Sequence, residues 1–327
     1  MTLRIGRRGA LIAGAMLAAP ALLRAQEPPR VRVGTLQFGT VNWELAVIGD
    51  GLDRRHGFVL EPLVLADKDA AAVAFQSGAV DLIVTDWIWV ARQREAGRDV
   101  SFVPFSLTVG ALMADPKTGI RTIQHLPGKR LGVAGGEDDK SWVLIQAYAR
   151  KAAGLDLPRA AVVNFAAPPL LNQLALRGDL DAVLNFWQFA ARLSAKGFQP
   201  VVEIGKILPA LGLDRPPPLL GWVFRDSWAN QNPDLARGFF DASFAAKAAM
   251  RSDDALWQTL RPQMQAEDDA VFTALRDGYR AGIPAAPSPA DATAAAAALR
   301  LMAGITPAAV GGLKALPPGT FWSGYGG

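Results

Sequence analysis

Short apolar runs alternate with helical stretches along most of this chain, and that order limits its fold more than any other feature. Val31–Leu36, Phe58–Leu65, Val80–Val84, Val100–Phe105 and Ala111–Ala114 read as strands. Between them, Trp43–Arg55, Asp69–Gln76 and Trp87–Glu95 read as helices, with Asn42 as an N-cap and Gly57, Gly78 and Gly97 as stops. A second series repeats the order. Strands at Arg130–Ala134, Ala161–Phe165, Leu180–Leu184 and Pro200–Ile204 alternate with helices at Asp139–Ala153, Leu170–Leu176 and Gln188–Ala195. Strand–helix alternation of this kind predicts an α/β fold of mainly parallel sheets covered by helices. The last part departs from it. One strand, Leu219–Phe224, precedes helices at Pro233–Met250, Asp253–Met264, Asp268–Ala281 and Asp291–Met302.

At 327 residues the chain suits two domains of about 150 residues each. Half of it is hydrophobic and 20% is charged, which provides a core and excludes bulk disorder. Cysteine is absent and only His56 and His125 are histidines. Disulfides, thiolate chemistry and Cys/His metal sites are therefore excluded, and neither a metal nor a cofactor is expected. The formal charge of +4 is local. Arg4, Arg7, Arg8 and Arg24 lie in an acid-free leader, and removing them leaves basic residues equal to the 30 acidic ones. No nucleic-acid footprint remains.

The leader is basic, then apolar over Ala10–Leu23, then ends in Leu23-Arg24-Ala25. This is the order of a cleavable export signal over residues 1–25, with the mature chain starting near Gln26 and working in a periplasm. Arg7-Arg8 resembles a twin-arginine signal, and general secretion stays open. A membrane anchor is the alternative, and the apolar run is short for it.

Phosphate loops, dinucleotide fingerprints, nucleophile elbows and HExxH pairs are all missing. Aromatic and polar residues instead gather at strand-to-helix turns: Trp43, Trp87, Trp142 and Trp187, with Gln37, Asn42, Asp86, Thr108, Asp139, Ser141 and Asn185. Ligands of α/β sheets bind outside these strand ends. Each polar residue can equally cap a helix, and each Trp can equally pack beneath one. The run Glu137-Asp138-Asp139 reads either as helix-dipole compensation or as an acidic rim for a cationic ligand.

Three stretches carry a family likeness: NWELAVIGDGLDRRHGFVLEPLVL at Asn42–Leu65, AVAFQSGAVDLIVTD at Ala72–Asp86, and GIRTIQHLPGKRLGVAGG at Gly119–Gly136. They resemble the periplasmic substrate-binding proteins of ABC importers, in the branch serving nitrate, taurine, aliphatic sulfonates and thiamine-type pyrimidines. The resemblance implies a two-lobed type II binding-protein fold with extra C-terminal helices. Residues 26–117 plus 212–327 would form one lobe and 118–211 the other, hinged near Asp115–Gly119 and Gly205–Pro218. It implies a monomer that captures a small solute between the lobes and delivers it to an inner-membrane permease. By position in the matching turns, Asn42, Trp43, Asp86, Trp87, Ser141, Trp142, Asn185 and Trp187 would line the cleft, and Gln37, Thr108 and Asp139 join them as ligand-binding candidates from their place at the same strand ends. Three consecutive acids oppose an anionic ligand, so the expected solute is neutral or cationic, such as a nitrogen heterocycle or an amine. The alternatives are a sulfonate, nitrate or taurine binder, an enzyme of pyrimidine-precursor type using Asp86 or His56, and a periplasmic signalling partner.

Overall fold

A computed structural model of the protein describes residues 27–137 and 139–325, so the expected export signal and Asp138 lie outside the described residues. The first series runs β1 (Arg30–Leu36), α1 (Val41–Val47), α2 (Asp53–Arg55), β2 (Val59–Leu65), α3 (Lys68–Ser77), β3 (Leu82–Asp86), α4 (Trp87–Glu95) and β4 (Val100–Ser106). The second runs β5 (Ala111–Ala114), β6 (Arg130–Ala134), α5 (Lys140–Ala153), α6 (Leu157–Ala160), β7 (Val162–Ala166), α7 (Pro168–Leu176), β8 (Ala182–Asn185), α8 (Trp187–Ala195), β9 (Gln199–Glu203) and α9 (Ile204–Ile207). Then come β10 (Leu220–Arg225), α10 (Asp226–Gln231), α11 (Pro233–Ser252), α12 (Asp254–Met264), α13 (Asp269–Ala281) and α14 (Pro289–Ile305). No helix among the described residues is long and apolar enough to cross a membrane.

Local chemistry explains most boundaries. Asp67 caps α3 by accepting the amides of Asp69 and Ala70, and Gly78 ends that helix at φ 78°. Asp86 caps α4 through the Trp89 amide, and Asp139 caps α5 through those of Ser141 and Trp142. The expected single helix at Trp43–Arg55 is corrected. It is broken over Ile48–Leu52, where Asp50 leaves helical geometry and Gly51 takes φ 95°. Two glycines around an aspartate are poor helix formers, and the chain uses them to turn toward β2. Asn42 is not the cap either. It sits inside α1, accepts the Thr35 hydroxyl at 2.8 Å and donates to the Leu36 carbonyl at 2.9 Å, tying the helix back onto β1.

The strands form two five-stranded sheets, ordered β2-β1-β3-β10-β4 and β7-β6-β8-β5-β9. In the first, β10 runs antiparallel between β3 and β4. In the second, β5 runs antiparallel between β8 and β9. The sheets are thus mixed, each with one reversed strand, and the reversed strand is in each case the one delivered from the other sheet. Ala111–Ala114, assigned from sequence to the first lobe, pairs Leu112 with Leu184 and with Val202 in the second sheet. The first crossing therefore lies at residues 107–110, ahead of the Gly/Pro-rich stretch at 115–119. That stretch forms a surface turn capped by Asp115 and ended by Gly119 at φ 73°. The return crossing spans residues 204–219, over the hinge expected near Gly205–Pro218.

One apolar core is continuous across both sheets, from Phe75, Ile83 and Phe102 through Leu131 and Val133 to Leu299 and Met302 of α14. A second core joins the other face of the first sheet to α1, α11, α12 and α13 through Val33, Phe105, Trp222, Phe239 and Trp257. A smaller one lies beneath α7 and α8. At the first crossing, a Cβ on Gly110 would lie 2.1 Å from the Asn185 carbonyl oxygen, so only glycine fits. Gly110→Ala must displace backbone, and an urea denaturation midpoint should report a loss of about 1–3 kcal/mol.

Candidate functional site between the lobes

The C-terminal ends of the parallel strands in the two sheets meet at one ion pair. Asp86 ends β3 in the first lobe, and Lys140 opens α5 after β6 in the second. The Lys140 ammonium donates to Asp86 Oδ2 at 2.9 Å, with the side chains 24% and 18% exposed. Asp86 Oδ1 accepts the Trp89 amide at 2.9 Å. Burial pushes the Asp86 carboxyl up. Lys140, the Trp89 amide and Lys68 together outweigh that, and the group ends below the usual carboxylate range.

Asp139 lies beside this pair and turns toward its own helix, accepting the amides of Ser141 at 2.9 Å and Trp142 at 3.2 Å. Burial raises its pKa, with Lys140, the two amides and Lys68 offsetting only part. Gly135, at φ 89°, leaves room for it, since a Cβ there would lie 2.8 Å from Asp139 Oδ2. Glu137 is exposed. Of the two readings of Glu137-Asp138-Asp139, Asp139 follows the helix-terminal one by capping α5, Glu137 faces solvent, Asp138 lies outside the described residues, and Lys140 supplies a cation beside Asp86.

A second contact between the lobes is aromatic. Trp187, at the start of α8, meets Trp43 of α1 edge to face at 6.1 Å and Tyr279 of α13 at 6.4 Å. Trp43 also contacts Trp257 at 6.1 Å. Gly278 makes the space, because a Cβ there would lie 2.8 Å from the Trp187 ring. One helical face further along, Arg192 donates to the carbonyls of Met264 at 2.7 Å and Gln265 at 3.0 Å, at the C-terminus of α12. Arg192 also pairs with Glu267 at 2.9 Å, and Lys196 with Asp268 at 2.7 Å. A cation on the last carbonyls of a helix satisfies groups the helix cannot.

Beneath Trp43 lies a buried polar network that sequence reasoning missed. Glu44 is fully enclosed, and its carboxylate accepts from Lys247, from Ser243 at 2.5 Å and from the Tyr279 hydroxyl at 2.8 Å. Ser243 also accepts the Trp222 indole N–H at 3.0 Å. The Lys247 ammonium stands 4.3 Å over the Phe105 ring. Burial pulls the Lys247 pKa down against the opposing pull of Glu44, and burial with the Glu44 charge pushes the Tyr279 phenol well up. The Ser243–Lys247 spacing was the one local signal, and nothing in it named Glu44.

The remaining expected residues are placed as follows. Trp87 and Trp142 belong to the apolar core, and the Trp87 indole N–H is enclosed without a hydrogen-bond partner. Trp142 packs on Phe165 at 6.2 Å. Asn185 is buried and spends its amide on Pro168 at 3.0 Å, Asn172 at 2.9 Å and the Phe186 amide at 2.9 Å. Thr108 shares a hydrogen bond with Ser106 at 3.0 Å at the crossing. Gln37 is exposed and Ser141 half-buried. The structure thus brings together Asp86 with the Asp139–Ser141 turn, and Trp43 with Trp187.

No family model matches the sequence. No curated protein matches it either. Solved structures do match. The alkanesulfonate-binding protein SsuA of Xanthomonas axonopodis pv. citri, bound to MOPS, is 17% identical with a TM-score of 0.69, over 90% of this chain and 99% of its own. The periplasmic aliphatic sulphonate-binding protein SsuA of Escherichia coli is 16% identical with a TM-score of 0.71, over 90% of this chain and 92% of its own. A desulfurization enzyme, DszB, is 14% identical with a TM-score of 0.57, over 86% of this chain and 92% of its own. The architecture is the two-lobed type II periplasmic-binding-protein fold with additional C-terminal helices.

Two measurements check this description. Lys247→Met strands the Glu44 charge and should cost about 3–5 kcal/mol in chemical denaturation, while the Glu44→Gln/Lys247→Met double variant recovers most of it. The lowered Asp86 pKa makes its contribution present above the unfolded value of 3.8 and lost as pH falls below that. The stability gap between the wild type and Asp86→Asn should therefore be full near about pH 6 and shrink below about pH 4.

Proposed function

We propose that the protein is the solute-binding component of an ABC importer, capturing a small organic molecule between its lobes and delivering it to an inner-membrane permease without chemical conversion. The observation that carries this reading is the Lys140–Asp86 contact. It joins the strand ends of two lobes at the place where α/β sheets receive ligands, within a fold shared along nearly the whole chain with binding proteins. The leader would export the protein to a periplasm by either route. Lobe boundaries near the two crossings, and a monomeric state, belong to the same proposal.

The charge of the solute follows from the pair. Lys140 cancels Asp86, so the centre favours a solute of no net charge over a simple cation. Trp43, Trp187 and Tyr279 provide aromatic surface for a flat or apolar part. The likeness to DszB shows that the fold also occurs in an enzyme. The nominees for catalysis here are poorly placed for it. Asp86 is spent on Lys140, and His56 sits at the end of α2, where its carbonyl faces Gly238 of α11.

A thermal-shift screen of the chain from Gln26 onward tests the reading against heterocycles, amines, amino acids, sulfonates and nitrate. A true solute at a hundred times its Kd should stabilise the fold by about 2.7 kcal/mol. Recovery of that solute unchanged after incubation is the expected second result, and its turnover would favour the enzyme.

A further inference from the structure

We propose that the protein carries a second binding site, for a small uncharged hydrocarbon group, in an apolar cavity walled by both crossings, and that its occupant holds the angle between the lobes. The cavity measures about 80 Å³. Leu107 and Val109 line it from the first crossing, Leu208 and Pro217 from the return crossing, Leu144 from α5 and Met302 from α14. It shares no lining residue with the Lys140–Asp86 contact or the Trp43–Trp187 junction.

Chemistry, size and access define the occupant. None of the twelve residues around the cavity has a polar side chain. A hydroxyl, amine or charge placed there would lose water and gain no side-chain partner. An apolar cavity of about 150 Å³ stays dry and takes up benzene or xenon. The smaller volume here suits xenon, a compact hydrocarbon or the end of an alkyl chain. Leu144, Leu208 and Met302 are buried, whereas Leu107, Gly205 and Pro216 are exposed and give the cavity a rim in solvent.

The link to the lobe angle follows from the walls. The crossings are anchored around the cavity. The Leu107 amide donates to the Gly282 carbonyl at 2.8 Å, the Ile204 amide to the Gly110 carbonyl at 3.3 Å, and Arg215 pairs with Asp291 of α14 at 2.9 Å. Rotation of one lobe against the other is absorbed in such connecting segments, so it reshapes the space between them. An empty void forfeits dispersion contacts along its walls, and an occupant restores them only at the angle that fits it. On the solute-binding reading, occupant and solute then change each other's affinity by the same factor.

The test equilibrates the purified protein with xenon, and with cyclopentane and tetrahydrofuran as a matched pair differing by one methylene against one ether oxygen. Binding is followed by nuclear magnetic resonance in the wild type, Ala298→Leu and Gly205→Ala. Both variants add carbon to the cavity. A Cβ on Gly205 would lie 3.7 Å from Val109, an ordinary contact, and alanine suits the α9 helix better than glycine, so Gly205→Ala should fold. Xenon and cyclopentane should bind saturably, about tenfold or more tighter than tetrahydrofuran for the ring, and Ala298→Leu should weaken them about tenfold, with Gly205→Ala weakening them less. Saturation with cyclopentane should also slow amide hydrogen exchange at residues 107–110 and 204–219 by about threefold or more in the wild type. No saturable binding, equal binding of tetrahydrofuran, or undiminished binding in both variants would overturn the site. Binding without slower exchange at the crossings would overturn its hold on the lobe angle. The solute screen uses none of these probes, so its outcome decides the solute-binding reading separately.

Discussion

The exchange of one strand between the two sheets is the constraint on which the rest of the molecule depends. β5 completes the second sheet and β10 completes the first, each lying antiparallel between two parallel neighbours. Neither sheet closes its hydrogen-bond ladder without chain delivered from the other. The crossings at 107–110 and 204–219 hold the lobes side by side with the C-terminal ends of their parallel strands turned together. Asp86 and Lys140 meet only because of that arrangement, and so do Trp43 and Trp187. The apolar core running from Phe75 to Met302 makes α14 part of the same junction.

The molecule uses buried charge in two distinct ways. Glu44 and Lys247 are wholly enclosed, fixed by Ser243 and Tyr279 and roofed by Phe105, so nothing from solvent can exchange with either. This pair locks α1, α11 and α13 onto the first sheet and holds Trp43 in place above it. Asp86 and Lys140 keep part of their surface open and come from opposite lobes, so separation of the lobes exposes both at once. Depth and connectivity, rather than the residue types, distinguish the enclosed pair from the one at the junction of the lobes.

Much of the architecture was legible in the sequence, because strands and helices here follow local rules. Asp67, Asp86 and Asp139 cap helices, Gly78 and Gly154 end them, and β6 and α4 fall where the pattern put them. The sheet to which Ala111–Ala114 belongs was not legible, since an isolated apolar tetrapeptide carries no record of its neighbours. Four of the site's features turn on pairings remote in sequence: Lys140 with Asp86, Arg192 with the end of α12, Trp187 with Gly278, and Glu44 with Lys247. The acid run at Glu137–Asp139 left two readings open in the sequence, and Asp139 takes the helix-terminal one. Its residues share a sequence neighbourhood, yet the α5 N-terminus turns Asp139 inward, leaves Glu137 in solvent and presents Lys140 to the opposite lobe.

The edge-to-face meeting of Trp43, Trp187 and Trp257 has an optical consequence. Indoles held at such angles about 6 Å apart couple their electronic transitions, and the coupling weakens steeply with distance. Trp187 belongs to one lobe, and Trp43 and Trp257 belong to the other. The near-ultraviolet dichroism of the unlabelled protein thus contains a built-in gauge of how far apart its halves stand.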